Sequence, residues 1–93
     1  MDLRIDCINK TDRYNPHERI SNVGGPNPGA TTRWKITQPQ AIAYIENREH
    51  SFYTLEGGVR ANVIVATHNG NKYIKTANDG LQPDNLLSLP ECS

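Results

Sequence analysis

Asn69-Gly70, set between the apolar-rich runs Val59 to Thr67 and Lys72 to Thr76, constrains this chain more than any other feature. A two-residue type I′ hairpin turn needs φ > 0 at both central positions, and Asn-Gly adopts that conformation at little cost. Centring the turn there pairs Thr67 with Lys72, Ala66 with Tyr73, Val65 with Ile74 and Ile64 with Lys75. Side chains alternate along a strand, so the register assigns each one to a face. Gly57-Gly58 is a second such marker, pairing Phe52 with Val63, Tyr53 with Asn62 and Thr54 with Ala61. The two turns agree. Phe52, Thr54, Ala61, Val63, Val65 and Ile74 share one face; Tyr53, Leu55, Arg60, Asn62, Ile64, Tyr73 and Lys75 share the other.

Upstream, Leu3, Ile5 and Cys7 alternate with Arg4 and Asp6 as in a half-buried strand, and Arg19 to Val23 reads as its antiparallel partner across a turn at Thr11 to Pro16. Gly24 to Thr32, rich in glycine and proline, reads as a flexible loop. Trp34-Lys35-Ile36 returns to a short strand with Trp34 and Ile36 facing inward. Thr37-Gln38-Pro39-Gln40 has the form of a capping box with proline in the first turn, so a helix is expected to follow, burying Ala41, Ile42 and Ile45. The segment 78–93 holds Leu81, Leu86, Leu87 and Leu89. Asp84 is placed to cap a single turn there before Pro90 ends it. Those leucines need cover, and packing Leu86 and Leu89 over Leu55 and Ile64 would supply it.

The expected architecture is α+β, in a single domain over 1–93. It comprises an N-terminal β-hairpin, one main helix, a C-terminal three-stranded antiparallel meander and an ordered C-terminal tail. With 35% hydrophobic residues in 93, the core is small. Ten basic and ten acidic residues cancel, which argues against a strongly basic nucleic-acid arm or a membrane-surface patch. The opening residues hold no apolar signal segment and the chain no membrane span, so a cytoplasmic protein is expected. In that compartment Cys7 and Cys92 are expected as reduced, packed thiols.

Catalytic and cofactor motifs are weak. Gly24 to Thr31 has the outline of a phosphate-binding loop, but Ala30 stands where lysine is needed, and Pro26 and Pro28 remove backbone donors. His17, His50 and His68 are scattered singly, without metal-ligand spacing. No cofactor is implied and no catalytic residue is assigned, so the expectation is a non-enzymatic binding or protein-interaction module. Its candidate surface is the face carrying Tyr53, Arg60, Asn62, Tyr73 and Lys75, and its candidate partner is another protein or a second copy of the chain. The alternative is single-stranded nucleic acid, because tyrosines beside cations are how several sheet surfaces stack unpaired bases. A third reading is an enzyme or metal site built from Cys7, Cys92 and a histidine.

Taken in order, Cys7-Ile8-x-Lys10, Ile20 with Gly24-Gly25, Trp34, Ala41-Ile42 with Ile45, Lys72-Tyr73-Ile74-Lys75-Thr76 and Leu86-Leu87-x-Leu89-Pro90-x-Cys92 resemble a small, mainly bacterial family. It is known as domain of unknown function number 3892. The resemblance spans nearly the whole chain and implies a stand-alone α+β domain whose leucine-proline-cysteine tail belongs to the fold. It brings no reaction, substrate or cofactor.

Overall fold

Both turns close as type I′ geometry requires: Asn69 and Gly70 have φ of 51° and 81°, Gly57 and Gly58 of 57° and 80°. In the computed structural model, which describes residues 1–11, 20–77 and 84–92, they join a meander of β5 (Ser51–Glu56), β6 (Val59–His68) and β7 (Asn71–Thr76). Thr67 pairs with Lys72, Val65 with Ile74, Tyr53 with Asn62 and Thr54 with Ala61, the register expected. Phe52, Thr54, Ala61, Val63 and Ile74 are buried on one face, while Leu55 and Ile64 on the other are exposed at 37% and 38%.

The N-terminal run that reads as one strand is two. β1 (Asp2–Arg4) pairs in parallel with β5, and β2 (Cys7–Lys10) pairs antiparallel with β3 (Ile20–Pro26). The crossing takes two residues: the Ile5 amide donates to the Tyr53 carbonyl at 2.8 Å and the Asp6 amide to the Gly24 carbonyl at 3.0 Å. Leu3, Ile5 and Cys7 all still point inward, because both sheets face one core; that is why alternation alone did not show the break. The result is a four-stranded sheet, β1-β5-β6-β7, and a three-stranded sheet, β2-β3-β4, with β4 at Arg33–Thr37. The fold is thus α+β, as expected, with a parallel edge strand added to the meander.

The expected flexible loop is shorter than 24–32. β3 continues through Gly24 and Gly25 to Pro26, paired with Trp34 and Arg33 of β4. Glycine serves here for close approach: a Cβ on Gly25 would overlap the Arg4 carbonyl oxygen. The remaining turn is closed by the Asn27 amide donating to the Thr32 carbonyl at 3.0 Å.

α1 (Gln38–Glu46) starts at the capping box read from the sequence. The Gln40 amide donates to Thr37 Oγ1 and the Thr37 amide to Gln40 Oε1. Ala41 is fully buried, and Ile42, Tyr44 and Ile45 pack against the core. Gln38 has a role that its sequence position did not announce. Its buried side chain donates to the Ile20 carbonyl and accepts from the Ile74 amide, both at 3.1 Å, and so joins β3 of one sheet to the outer edge of β7 in the other. An edge amide that would otherwise be buried without a partner is satisfied.

The tail is ordered where it is described. α2 (Asp84–Leu87) packs against β7 and β2, and Leu86 and Leu89 are buried at 0% and 4%. They join the main cluster with Ile8, Phe52, Val63 and Ile74, not the second sheet face. The expected cover of Leu55 and Ile64 by these leucines is therefore corrected: the tail fills the gap between the sheets, where more apolar area is removed from water. Beyond Leu89 the chain runs beside β2, the Ile8 amide donating to the Pro90 carbonyl and the Cys92 amide to the Ile8 carbonyl. The turn at Thr11 to Pro16, Arg19, His17 and Leu81 lie wholly or largely outside the described residues.

Candidate functional site

The outer face of the four-stranded sheet is built from four strands. Tyr53 and Asn62 sit opposite one another on β5 and β6, with Leu55 opposite Arg60. β1 adds Asp2 and Arg4, because Arg4 pairs with Tyr53. The Arg60 guanidinium lies 4.2 Å from the centroid of the Tyr53 ring, within cation–π distance. Asp2 holds it there through an ion pair, and Ser51 Oγ donates to the other oxygen of the same carboxylate at 3.0 Å. Burial alone would push the Asp2 carboxyl up. The hydrogen bonds from Arg60 and Ser51, with the charges of Arg60 and the N-terminus, outweigh it and hold the pKa below the ordinary value of 3.8. Arg4 reaches along the sheet to donate to the Leu55 carbonyl at 2.9 Å.

Of the five residues expected to form a binding face, Tyr53, Arg60 and Asn62 come together, and Lys75 is half-buried two positions from Tyr73 on the same face. Tyr73 does not present an open ring. Its exposure is 4%, on the face opposite Ile74, which is also buried, so β7 is covered on both sides at this point. The local positive charge of the meander is also partly consumed, since Arg60 is paired with Asp2 and Lys72 with Glu46 at 2.6 Å. Asp2 and Arg4 were not among the expected residues. They reach the face only through a parallel pairing between chain positions about fifty residues apart, for which no local signal exists.

Two concavities meet the turn after β3, both touching Asn27 and Pro28, one on the outer side of the sheet and one on the core side. A groove of about 480 Å³ runs between Asp2, Arg4 and Tyr53 on the sheet and Pro26 to Ala30 on the turn. A smaller cavity of about 230 Å³ is lined chiefly by Leu3, Trp34, Ile36, Tyr44, His50 and Phe52. There the Trp34 and Phe52 rings lie 5.6 Å apart, and His50 meets Tyr44 edge-on at 4.8 Å.

The two cysteines depart from expectation. Cys7 and Cys92 form a disulfide, with Cα atoms 4.9 Å apart across 85 residues of chain. The parallel run of Pro90 to Cys92 beside β2 brings them together, which spacing alone could not show. In this form neither sulfur is a thiolate, so in the enzyme or metal reading of Cys7, Cys92 and a histidine the two cysteines have no thiolate to offer as ligand or nucleophile until the bond is reduced. Among the described residues, no group of three His, Cys, Asp or Glu side chains is placed to hold a metal ion, and no helix is long and apolar enough to cross a membrane.

No curated protein and no solved structure matches the chain. A family profile described as "Protein of unknown function (DUF3892)" matches residues 4–90, and so takes in β2 to β7, α1 and the leucine-bearing tail as far as Pro90. The chain belongs to that family.

Proposed function

We propose that the chain is a non-enzymatic protein-interaction module whose contact surface is the outer face of the four-stranded sheet. The observation that carries this reading is the Tyr53–Arg60 stack beside exposed Leu55 and Ile64. Tyrosine and arginine next to aliphatic side chains are the residue types that dominate binding energy at protein interfaces. Asp2 holds Arg60 in place before any partner arrives, which lowers the entropy cost of binding. The partner that fits is a protein presenting an apolar patch. Single-stranded nucleic acid fits less well, because one face of Tyr53 is occupied by Arg60, Tyr73 is buried, and Arg60 and Lys72 already have carboxylate partners. Residence in the cytoplasm, part of the same proposal, requires that the disulfide be reversible, since lasting cross-links are rare there.

The test compares wild type with Leu55→Asp/Ile64→Asp in quantitative capture from the cells that make the protein, with light scattering alongside. A partner, or a second copy, bound by wild type and lost in the variant supports the reading. An unchanged set of bound proteins and unchanged mass overturn it. Short single-stranded DNA or RNA that shifts the Tyr53 amide signal would favour the alternative.

A further inference from the structure

The Cys7–Cys92 disulfide is neither sealed nor electrically neutral. Cys7 is 5% exposed, but Cys92 is only half-buried, and a cavity of about 150 Å³ bounded by Cys7, Arg33, Trp34, Lys35 and Cys92 opens onto the pair. From below, the sulfurs rest on Gly24: a Cβ there would lie 3.0 Å from Cys7 Sγ and 3.1 Å from Cys92 Sγ. From the side, Arg33 Nη2 donates to Cys7 Sγ at 3.4 Å. The same guanidinium forms a two-pronged ion pair with Asp6, which anchors it beside the sulfur. Arg33 and Lys35 are the cations at the cavity, and Asp6 and Glu91 are the neighbouring carboxylates in the chain, Asp6 already engaged by Arg33.

These positions make the two sulfurs unequal. A thiol–disulfide exchange runs through the sulfur that a thiolate can reach and expels the one whose thiolate is better stabilised. Cys92 can be reached, and Cys7 has the guanidinium. We infer that Cys7–Cys92 is a redox-modification site that exchanges with small, carboxylate-bearing thiols: Cys92 is the sulfur attacked, Cys7 the leaving group, and Arg33 the group that receives the charge.

The incoming thiolate forms a new S–S bond to Cys92 Sγ. The Cys7–Cys92 bond breaks, and its electron pair leaves on Cys7 Sγ beside Arg33. A second small thiolate attacks the outer sulfur of the mixed disulfide, releases the Cys92 thiolate and departs as the small-molecule disulfide. Two thiols are oxidised and the protein pair is reduced by two electrons, with the protons passing to the protein sulfurs through solvent. Lys35 and Arg33 attract an anionic thiol into the cavity and disfavour a cationic one. The site lies on the three-stranded sheet and tail and does not depend on the Tyr53–Arg60 surface.

The test uses the oxidised full chain in reduced glutathione at urea concentrations below those that unfold it. Thiols are then blocked by alkylation, and peptide masses locate the adduct. The expected result is a glutathione adduct on Cys92, a rate that does not rise with urea, and faster reaction with glutathione than with cysteamine. Arg33→Gln is expected to slow exchange about tenfold through loss of leaving-group stabilisation, and Arg33→Lys to restore most of the rate. A role for Arg33 as a clamp alone predicts the opposite sign, because loosening the strand exposes the bond. Four outcomes overturn the inference: an adduct on Cys7, a rate that climbs with urea, an Arg33→Gln variant reduced as fast as wild type or faster, or a preference for cysteamine.

Discussion

The meander and the three-stranded sheet reach similar order by different means. In β5–β6–β7 each strand follows its neighbour through a two-residue turn, so the register is written into the residues beside it. In the other half, β2 and β3 pair across a longer connection. The tail returns from the far end of the chain to lie beside β2, and a disulfide spanning 85 residues holds it. Gln38 is a polar link between the halves. Local instructions are cheap in chain entropy. Distant ones must offset a loop-closure cost with burial or covalent linkage.

This contrast can be broken most forcefully at the disulfide. Replacing both cysteines with serine is expected to cost about 3–5 kcal/mol, given the length of loop closed, and to lower Tm by roughly 15–30 °C. Thermal unfolding of wild type with and without reductant checks the same quantity. A fall of only a few degrees would mean that Leu86, Leu89 and the β2 backbone bonds hold the tail unaided. Next in size, Gln38→Leu leaves the Ile20 carbonyl and the Ile74 amide unpaired, and is expected to cost about 2–4 kcal/mol in urea unfolding. Because Gln38 joins the sheets, hydrogen exchange is expected to quicken on both sides of it, at β3 and at β7.

Within the meander the effect is smaller and confined. Gly70→Val forces a β-branched residue to φ 81°, at a cost of about 1–2 kcal/mol. Faster exchange is expected in β6 and β7 with little change in β2 and β3. Spread into the three-stranded sheet would show that the halves unfold together. Smallest is Asp2→Asn, which removes an exposed ion pair worth about 0–1 kcal/mol. Its size depends on pH. The folded carboxyl titrates below 3.8, so its contribution is complete above that value and is lost as pH falls through the folded pKa. The Tm difference between wild type and Asp2→Asn is therefore expected at neutral pH and to vanish in strong acid.

How legible each part was follows the same division. The capping box at Thr37 and both turns could be read because every participant lies within four residues in sequence. The break after Arg4 could not, since Leu3, Ile5 and Cys7 keep their inward alternation whether they belong to one sheet or two. Gly24-Gly25 looked like a loop because glycine marks turns more often than close approach. Only the neighbouring Arg4 carbonyl and the two sulfurs show why a strand needs glycine there. At the candidate face, alternation correctly placed Tyr53, Arg60 and Asn62 together. It could not show that Tyr73 is covered, or that Asp2 arrives to pin Arg60.

What the amino-acid order determined by itself is the periodic and the local: the α+β class, the helix start, the meander register and the assignment of residues to faces. Turn geometry and side-chain alternation need no knowledge of the rest of the chain. Tertiary structure alone decided which of those faces is covered. It paired Cys7 with Cys92, set β1 parallel to β5, and sent Leu86 and Leu89 into the gap between the sheets, leaving Leu55 and Ile64 in water. Burial is a competition among all apolar surfaces of the molecule, and its outcome depends on which ones meet in space.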